Sequence, residues 1–292
     1  MDKDLHINEL KSLLRHEVAM LCQHDSRKWK SEISKTVKEI RANNWSGVFF
    51  GGMLRSLLVS RLATNSFGRP RDVDIVLSGI KLQDIKVQFE RYISRETRFG
   101  GVQLCRKNSQ FDLWPLESTF AFQGKTQAQF PDLPKTTFLN LEAVAIDVWP
   151  QMGKPRTIYS GDEQFFKGIL SRTIELNNEI NPFPELSVAR ALVIASDLQW
   201  KVGVRLVKYI VKHGVTISEI DFEDVQRRHY GGIKLRGEVL PRVLEYIVKN
   251  LDYSIDRPFE LPLPKQLRLW SEDSHSPRLS FTVIKAKSNH HG

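Results

Sequence analysis

Hydrophobic residues recur every three or four positions through the first part of the chain, which is the spacing of amphipathic helices. The apolar positions are Leu10, Leu13, Leu14, Val18 and Leu21, followed by Ile33, Val37 and Ile40. A polar stretch at 23–26 separates the two groups. We therefore expect residues 7–42 to form two helices.

The pattern changes after residue 46. A short apolar run at 47–50 ends in two glycines, and a helical pattern covers 53–59. Further apolar runs predict strands at 73–77 and 111–116, with a helix at 82–95 between them. Residues 144–148 suit either a strand or part of a helix. Loops are expected at 65–70 and, as a long polar excursion, at 120–137.

From about residue 161 the pattern is helical. Helices are predicted at 163–173, 185–200, 202–213 and 237–250, before prolines interrupt regular structure at 258, 262 and 264. This order predicts an α+β protein with a small mixed sheet. We expect an N-terminal helical segment at 1–43, an α/β domain at 44–160, a helical domain at 161–270 and a flexible tail at 271–292.

Composition narrows the class of protein but not its chemistry. The 292 residues include 43 Lys and Arg against 34 Asp and Glu, a net charge of +9 that favours polyanionic partners such as nucleic acid. Two cysteines suit a reducing cytoplasm. No apolar run approaches the ~20 residues of a membrane helix, and Asp2 and Asp4 argue against a signal peptide. We expect a cytoplasmic protein without a membrane partner.

Two acids in the second predicted strand are the first candidates for chemistry. Asp72 and Asp74 point to the same face, because side chains alternate along a strand. Two carboxylates so close repel each other unless a cation lies between them, and such oxygen ligands suit Mg²⁺. The alternative is a polar strand end that faces solvent.

Asp112 is a lone acid within the apolar run at 111–116. If its strand lies beside that of Asp72 and Asp74, three carboxylates meet and can hold two metal ions. The alternative is again an acid at a solvent-facing strand end.

Upstream, Gly51 and Gly52 join a strand to a helix whose first turn carries Arg55. Such a turn can approach a phosphate closely, although a tight structural turn has the same sequence.

The order of these features resembles the polymerase-β-type nucleotidyltransferase superfamily, and within it the head and neck of bacterial poly(A) polymerases and tRNA CCA-adding enzymes. That family has a Gly-Gly-x-x-Arg-Asp turn, then an Asp-x-Asp strand, then a later strand carboxylate. The segment 138–147 is similar to the family's Asp-Phe-Thr-Ile-Asn-Ala segment, and 188–192 to its neck helix. The resemblance covers roughly residues 45–200.

The resemblance implies a nucleotidyltransferase core that uses a nucleoside triphosphate and Mg²⁺ or Mn²⁺, with two ions. Asp72, Asp74 and Asp112 would bind the metals, and Asp112 would also act as a base. The implied nucleotide-binding residues are Gly51, Gly52, Arg55, Asn140 and Arg190. The implied reaction attaches a nucleoside monophosphate to an acceptor hydroxyl and releases pyrophosphate.

Three departures argue against a CCA-adding enzyme. Ser56 stands where the family has Asp after the arginine. The Arg-Arg-Asp motif expected before residue 138 is missing, and the Glu-Asp-x-x-Arg motif expected before the neck helix is missing as well. Nucleotide selection is therefore expected to differ from that of the family.

Lys201, Arg205, Lys208 and Lys212 have helical spacing and would line one face, here called the basic face. It could bind the phosphates of an acceptor RNA, or be an ordinary solvated surface. We expect RNA as the acceptor, with the 3′ end of tRNA as one candidate.

Two alternatives for the function stay open. One is transfer to a protein or small molecule, as in a toxin with an antitoxin or a phage-defence enzyme. The other is an inactive module that binds RNA or a partner.

Overall fold

The computed structural model describes residues 6–23, 28–64, 72–97, 100–107, 109–122, 127–250 and 257–265. The helices are α1 Ile7–Cys22, α2 Lys28–Ala42, α3 Gly52–Thr64, α4 Leu82–Phe89, α5 Gln164–Ser171, α6 Pro184–Leu198, α7 Val204–Gly214, α8 Glu219–Tyr230 and α9 Val239–Asn250. The strands are β1 Ser46–Phe50, β2 Asp72–Ser78, β3 Ile93–Glu96, β4 Val102–Arg106, β5 Ser109–Pro115, β6 Ala145–Asp147, β7 Ile158–Tyr159, β8 Thr173–Ile174 and β9 Lys201–Val202. The predicted loop at 65–70 and tail at 271–292 lie outside the described residues.

Seven strands form one mixed sheet in the order β3-β4-β5-β2-β1-β6-β7. Strands β2 and β5 pair in parallel, and the other neighbouring pairs of this sheet are antiparallel. The register of the parallel pair places Asp74 directly beside Asp112. The predicted α+β architecture with a mixed sheet is confirmed.

The two faces of this sheet are covered differently. One face, with Val73, Ile75, Phe111 and Leu113, packs into the main core, which runs continuously from α1 to α9. The opposite face carries a smaller apolar cluster around Val76. Part of the region 120–137, which the sequence predicts to be a long polar loop, covers this cluster. Phe122 and Leu133, in the 3₁₀ turns of that region, pack onto the sheet. The end of that face near Asp72 is left open.

The predicted helix at 82–95 is too long. The helix α4 ends at Phe89, a 3₁₀ turn follows at Glu90–Tyr92, and the chain continues as strand β3. Strand β4 was not predicted either. Both form because β3, β4 and β5 pair as an antiparallel meander, and this tertiary pairing outweighs local helical preference.

The helical half contains a helix that the pattern did not predict. Helix α8 is polar, burying only Phe222 and Gln226, and begins at Ser218, whose hydroxyl accepts from the Asp221 N–H at 3.1 Å. The helix predicted at 202–213 begins instead at Val204, because Lys201 and Val202 pair with β8. No helix in the described ranges is long and apolar enough to span a bilayer.

Candidate active site

A cavity of about 790 Å³ lies on the open end of the sheet face described above, and the helical half forms its opposite wall. Its volume is within the ~300–1,000 Å³ usual for ligand sites. The turn between β1 and α3, the strands β2 and β5, and helix α6 all contribute side chains. The cavity therefore gathers residues that are far apart in sequence.

The three predicted catalytic acids share this cavity. Asp72, Asp74 and Asp112 line it, and each side chain is partly exposed. Asp72 and Asp74 lie two residues apart on β2, whereas Asp112 faces the same way from the neighbouring strand. Adjacent strands are only ~4.8 Å apart, so Asp74 and Asp112 project side by side. The sheet thus brings together the acids that the sequence placed on two separate strands.

Gln103 is a residue of this site that the sequence did not indicate. It lies opposite Asp112 on β4, and its Nε2 donates to Asp112 Oδ1 at 2.9 Å. This buried amide holds one oxygen of Asp112 in place. No sequence pattern could have found it, because β4 itself was not predicted.

The glycine turn forms the cavity floor next to the acids. Gly51 has φ +71°, a conformation that glycine adopts without strain, and its N–H donates to Val144 O at 3.1 Å. Gly52 then begins α3, so the N-terminal turn of that helix starts at the cavity. Ser56 Oγ bonds back to Gly52 O at 3.1 Å within the helix. This geometry can accept a phosphate group.

Arg55 and Arg190 meet at one buried carboxylate. Glu142 Oε1 accepts from Arg55 Nη1 at 3.3 Å and from Arg190 Nη2. Burial would raise the pKa of Glu142, but Arg190 and then Arg55 hold it below its ordinary value. Conversely, Glu142 raises the pKa of Arg190 above its ordinary value. The two predicted nucleotide-binding arginines are thus joined by an acid that sequence reasoning missed.

Asn140 is not brought into the cavity. Its Nδ2 donates to Thr173 O at 3.0 Å, and its Oδ1 accepts from Glu175 N at 2.9 Å. These bonds connect the 3₁₀ turn Asn140–Glu142 to β8 and the segment after it. The structure therefore gives Asn140 a structural contact and places Glu142, two residues later, at the cavity.

The basic face is not one helix face. Lys201 lies on β9, and only Arg205, Lys208 and Lys212 lie on α7, where all three are exposed. Exposed acids accompany the two outer lysines: Lys201 pairs with Glu260 at 3.3 Å, and Lys212 with Glu179 at 2.8 Å. None of these cations lines the cavity.

The far wall of the cavity includes His229, Tyr230 and Lys234, from the end of α8 and the segment after it. The sequence did not place them at the site, because α8 was not predicted. Among the residues that the structure describes, the charged lining comprises five carboxylates and three cations. The carboxylates are Asp72, Asp74, Asp112, Glu142 and Asp197, and the cations are Arg55, Arg190 and Lys234. The described lining is therefore acidic although the chain is basic.

Oxygen donors of this kind suit a hard divalent cation such as Mg²⁺. Within the described ranges, no three Asp, Glu, His or Cys side chains are grouped closely enough to form a metal site. The oxygen donors of Asp72, Asp74 and Asp112 nevertheless suit Mg²⁺ or Mn²⁺, because such an ion is usually held by one or two carboxylates together with substrate phosphates, and these acids are the residues that would hold it.

Comparison with known proteins identifies the fold. No protein-family model matches the sequence, and no curated protein matches it. Solved structures do match. The Thermotoga maritima CCA-adding enzyme complexed with tRNA is 13% identical with a TM-score of 0.54, over 80% of this chain and 53% of that one. A CCA-adding enzyme with CTP is 13% identical with a TM-score of 0.53, over 82% and 54%.

A third match is the Bacillus stearothermophilus CCA-adding enzyme in complex with CTP. It is 19% identical with a TM-score of 0.50, over 70% of this chain and 49% of that one. This chain spans about half the length of these enzymes. It has the polymerase-β-type nucleotidyltransferase fold, which confirms the resemblance drawn from the motifs.

Proposed function

We propose that this protein is a metal-dependent nucleotidyltransferase that moves a nucleoside monophosphate from a nucleoside triphosphate to an acceptor hydroxyl. The observation that carries the proposal is the register of β2 with β5. It places Asp72, Asp74 and Asp112 on one sheet face, in the cavity that the glycine turn also lines. Clustered acids of this kind have little structural benefit, because like charges repel.

The charge of the cavity supports the need for metal. A triphosphate is an anion, yet the described residues that line the cavity include more carboxylates than cations. An anionic substrate would be repelled from such a site unless divalent cations accompanied it. Mg²⁺ or Mn²⁺, held by the three aspartates as two ions, would supply that positive charge and polarise the phosphate.

The chain's own groups can be assigned to the steps. The N–H groups at the start of α3 and the guanidinium groups of Arg55 and Arg190 bind the phosphates. The acceptor oxygen forms a bond to the α-phosphorus, and the bond from that phosphorus to the bridging oxygen breaks, which releases pyrophosphate. Asp112, held by Gln103, accepts the proton that the acceptor hydroxyl loses.

RNA is the acceptor that we favour. The fold is shared with enzymes that act on tRNA, one of which is complexed with tRNA. The chain has a net charge of +9, which attracts a polyanion. The exposed cations of α7 offer one surface for it. The tRNA 3′ end is the first acceptor to test.

The test is a labelling experiment. The protein is incubated with each labelled nucleoside triphosphate, with Mg²⁺ or Mn²⁺, and with total RNA or total protein. We expect label in the RNA fraction, and a loss of at least about a thousandfold for Asp72→Asn plus Asp74→Asn, since groups that act as a unit fail together.

The matched control is Asp162→Asn plus Glu245→Gln. It removes the same charge from two exposed acids away from the cavity, so transfer should continue. Transfer that survives in the Asp72 and Asp74 variant would contradict the mechanism. Label only in protein would contradict the RNA acceptor. Binding of nucleotide without transfer to any acceptor would favour an inactive binding module.

A further inference from the structure

We propose that Glu142 is the positioning residue of a polyphosphate subsite, in which it holds Arg55 and Arg190 together as one paired cation. The ligand class is the triphosphate chain of a nucleotide, so the inference rests on the proposed nucleotidyltransferase function. Glu142 itself does not touch the substrate. It acts through the two arginines.

Glu142 joins two parts of the molecule through a single oxygen. Arg55 lies in the first turn of α3, directly after the glycine turn, whereas Arg190 lies on α6 in the helical half. Both donate to Glu142 Oε1, and the Glu142 side chain is 8% exposed. The arginines are more open, at 17% and 27%, and both line the cavity. Glu142 also borders the cavity, but it is the least exposed of the three side chains.

The backbone fixes Glu142 relative to the glycine turn. The Val144 N–H donates to Glu142 O at 2.8 Å, and Val144 O accepts from the Gly51 N–H at 3.1 Å. A Cβ added to Gly52 would lie 3.7 Å from Glu142 Oε1 and 3.5 Å from Arg55 Nη2. The paired arginines therefore adjoin the turn where the N–H groups of α3 begin.

The balance of charge explains why one acid is needed between two bases. Without Glu142, two guanidinium groups confined in a partly buried site would repel each other and separate. With it, they are held in one place, and the three groups together carry one positive charge, although Asp74 also attracts Arg190. A phosphate that arrives can accept from guanidinium N–H groups that are already oriented, and this lowers the cost of binding.

Binding of inorganic tripolyphosphate in the presence of Mg²⁺, measured by calorimetry, tests the subsite without chemistry. We expect Glu142→Gln to weaken binding about tenfold, the effect of losing about one oriented charge-assisted contact. In the transfer assay, the KM for the nucleoside triphosphate should rise by a similar factor while kcat changes little. A residue that only stabilised the fold would not produce this separation of KM from kcat.

The matched control is Glu17→Gln. Glu17 is a buried acid paired with an arginine, Arg61 at 3.3 Å, but it lies on α1 away from the cavity. Its loss should lower thermal stability without changing tripolyphosphate affinity. Unchanged or tighter binding by folded Glu142→Gln would overturn the inference. If that variant does not fold, Arg55→Gln replaces it, and unchanged affinity there would overturn the inference equally.

The two proposals fail separately. If the wild-type protein transfers no nucleotide but its tripolyphosphate binding depends on Glu142, the subsite stands and the reaction is wrong. If transfer occurs but Glu142→Gln has wild-type KM and affinity, the reaction stands and the role of Glu142 is wrong.

Discussion

Two clusters of buried arginine and glutamate in this molecule use the same chemistry for different ends. The helix cluster joins Arg106 of β4 to Glu32 and Glu39 of α2. Arg106 is 2% exposed, donates to both oxygens of Glu39 at 2.8 and 2.9 Å, and lies 4.1 Å from the centre of the Tyr92 ring. These groups that Arg106 contacts are all residues of the chain itself.

The cavity cluster of Arg55, Glu142 and Arg190 has two cations to one acid, and both arginines border a cavity. The helix cluster does not lack cations either, because Glu32 also pairs with Lys35 and Lys107. The clusters differ in access: Arg106 is closed off within the fold, whereas the arginines of the cavity cluster are partly exposed and can donate to an anion that enters the cavity. Exposure to a cavity, rather than the presence of an ion pair, separates a structural cluster from a functional one.

The largest expected effect tests the structural half of this comparison. Arg106→Met should lower the free energy of unfolding by about 3–5 kcal/mol, because it breaks a buried ion pair and removes the donor to Glu39 and to the buried Thr36 hydroxyl. Chemical denaturation measures this change. Lys107→Met is the control, since Lys107 is 63% exposed although it also pairs with Glu32, and the loss should be within about 1 kcal/mol. Weaker nucleotide binding by folded Arg106→Met would show that the helix cluster is not purely structural.

The next largest effect concerns Gln103, which supports the proposed catalytic acid Asp112 from the neighbouring strand. Gln103→Leu removes the amide that donates to Asp112, so the proposed transfer should slow by about 10- to 100-fold, as for other groups that orient an active-site residue. Steady-state kinetics at saturating nucleotide measures it. Cys105→Ser changes an exposed side chain on the same strand and should have little effect. Equal rates for the two variants would remove Gln103 from the mechanism.

The sequence predicted those features that depend on local pattern. Periodicity identified α1, α2, β1, β2 and β5, and the alternation of side chains placed Asp72 and Asp74 on one face. These predictions hold because a strand or an amphipathic helix is encoded within a few neighbouring residues. The acids could be recognised as a possible group for the same reason.

The rest of the site depends on contacts that no local pattern contains. Glu142 meets Arg55 across 87 positions and Arg190 across 48. The motif resemblance selected Asn140, but the 3₁₀ turn directs that side chain to β8 and its neighbour Glu142 to the cavity. Similarly, Gln103 acquires its role only when β4 pairs with β5. Long-range pairing decides which of two nearby polar residues faces a site.

A smaller effect is expected on stability at acidic pH. The pKa of Glu142 is lowered in the folded protein, so its contribution to stability is present above the ordinary value of 4.5 and is lost as pH falls through the lowered value. The difference in unfolding free energy between wild type and Glu142→Gln should therefore shrink below about pH 4.5. It should fall by about 1.4 kcal/mol for each pH unit in which the folded carboxylate stays charged while the unfolded one is protonated. Denaturation curves at several pH values measure this. Parallel curves would show that the cavity cluster does not hold Glu142 charged.

The smallest expected effect concerns the exposed cations of α7, which belong to neither buried cluster. Arg205→Gln plus Lys208→Gln should weaken RNA binding about threefold to tenfold and reduce its salt dependence by roughly two charges, as for phosphate contacts. Lys201→Gln plus Lys212→Gln is the matched variant. Its effect should be smaller, because Lys201 lies on β9 and this pair removes only one charge from α7. Salt-dependent binding curves distinguish the two. Equal losses would mean that RNA contacts β9 as well as α7, and no loss in either would place the acceptor on another surface.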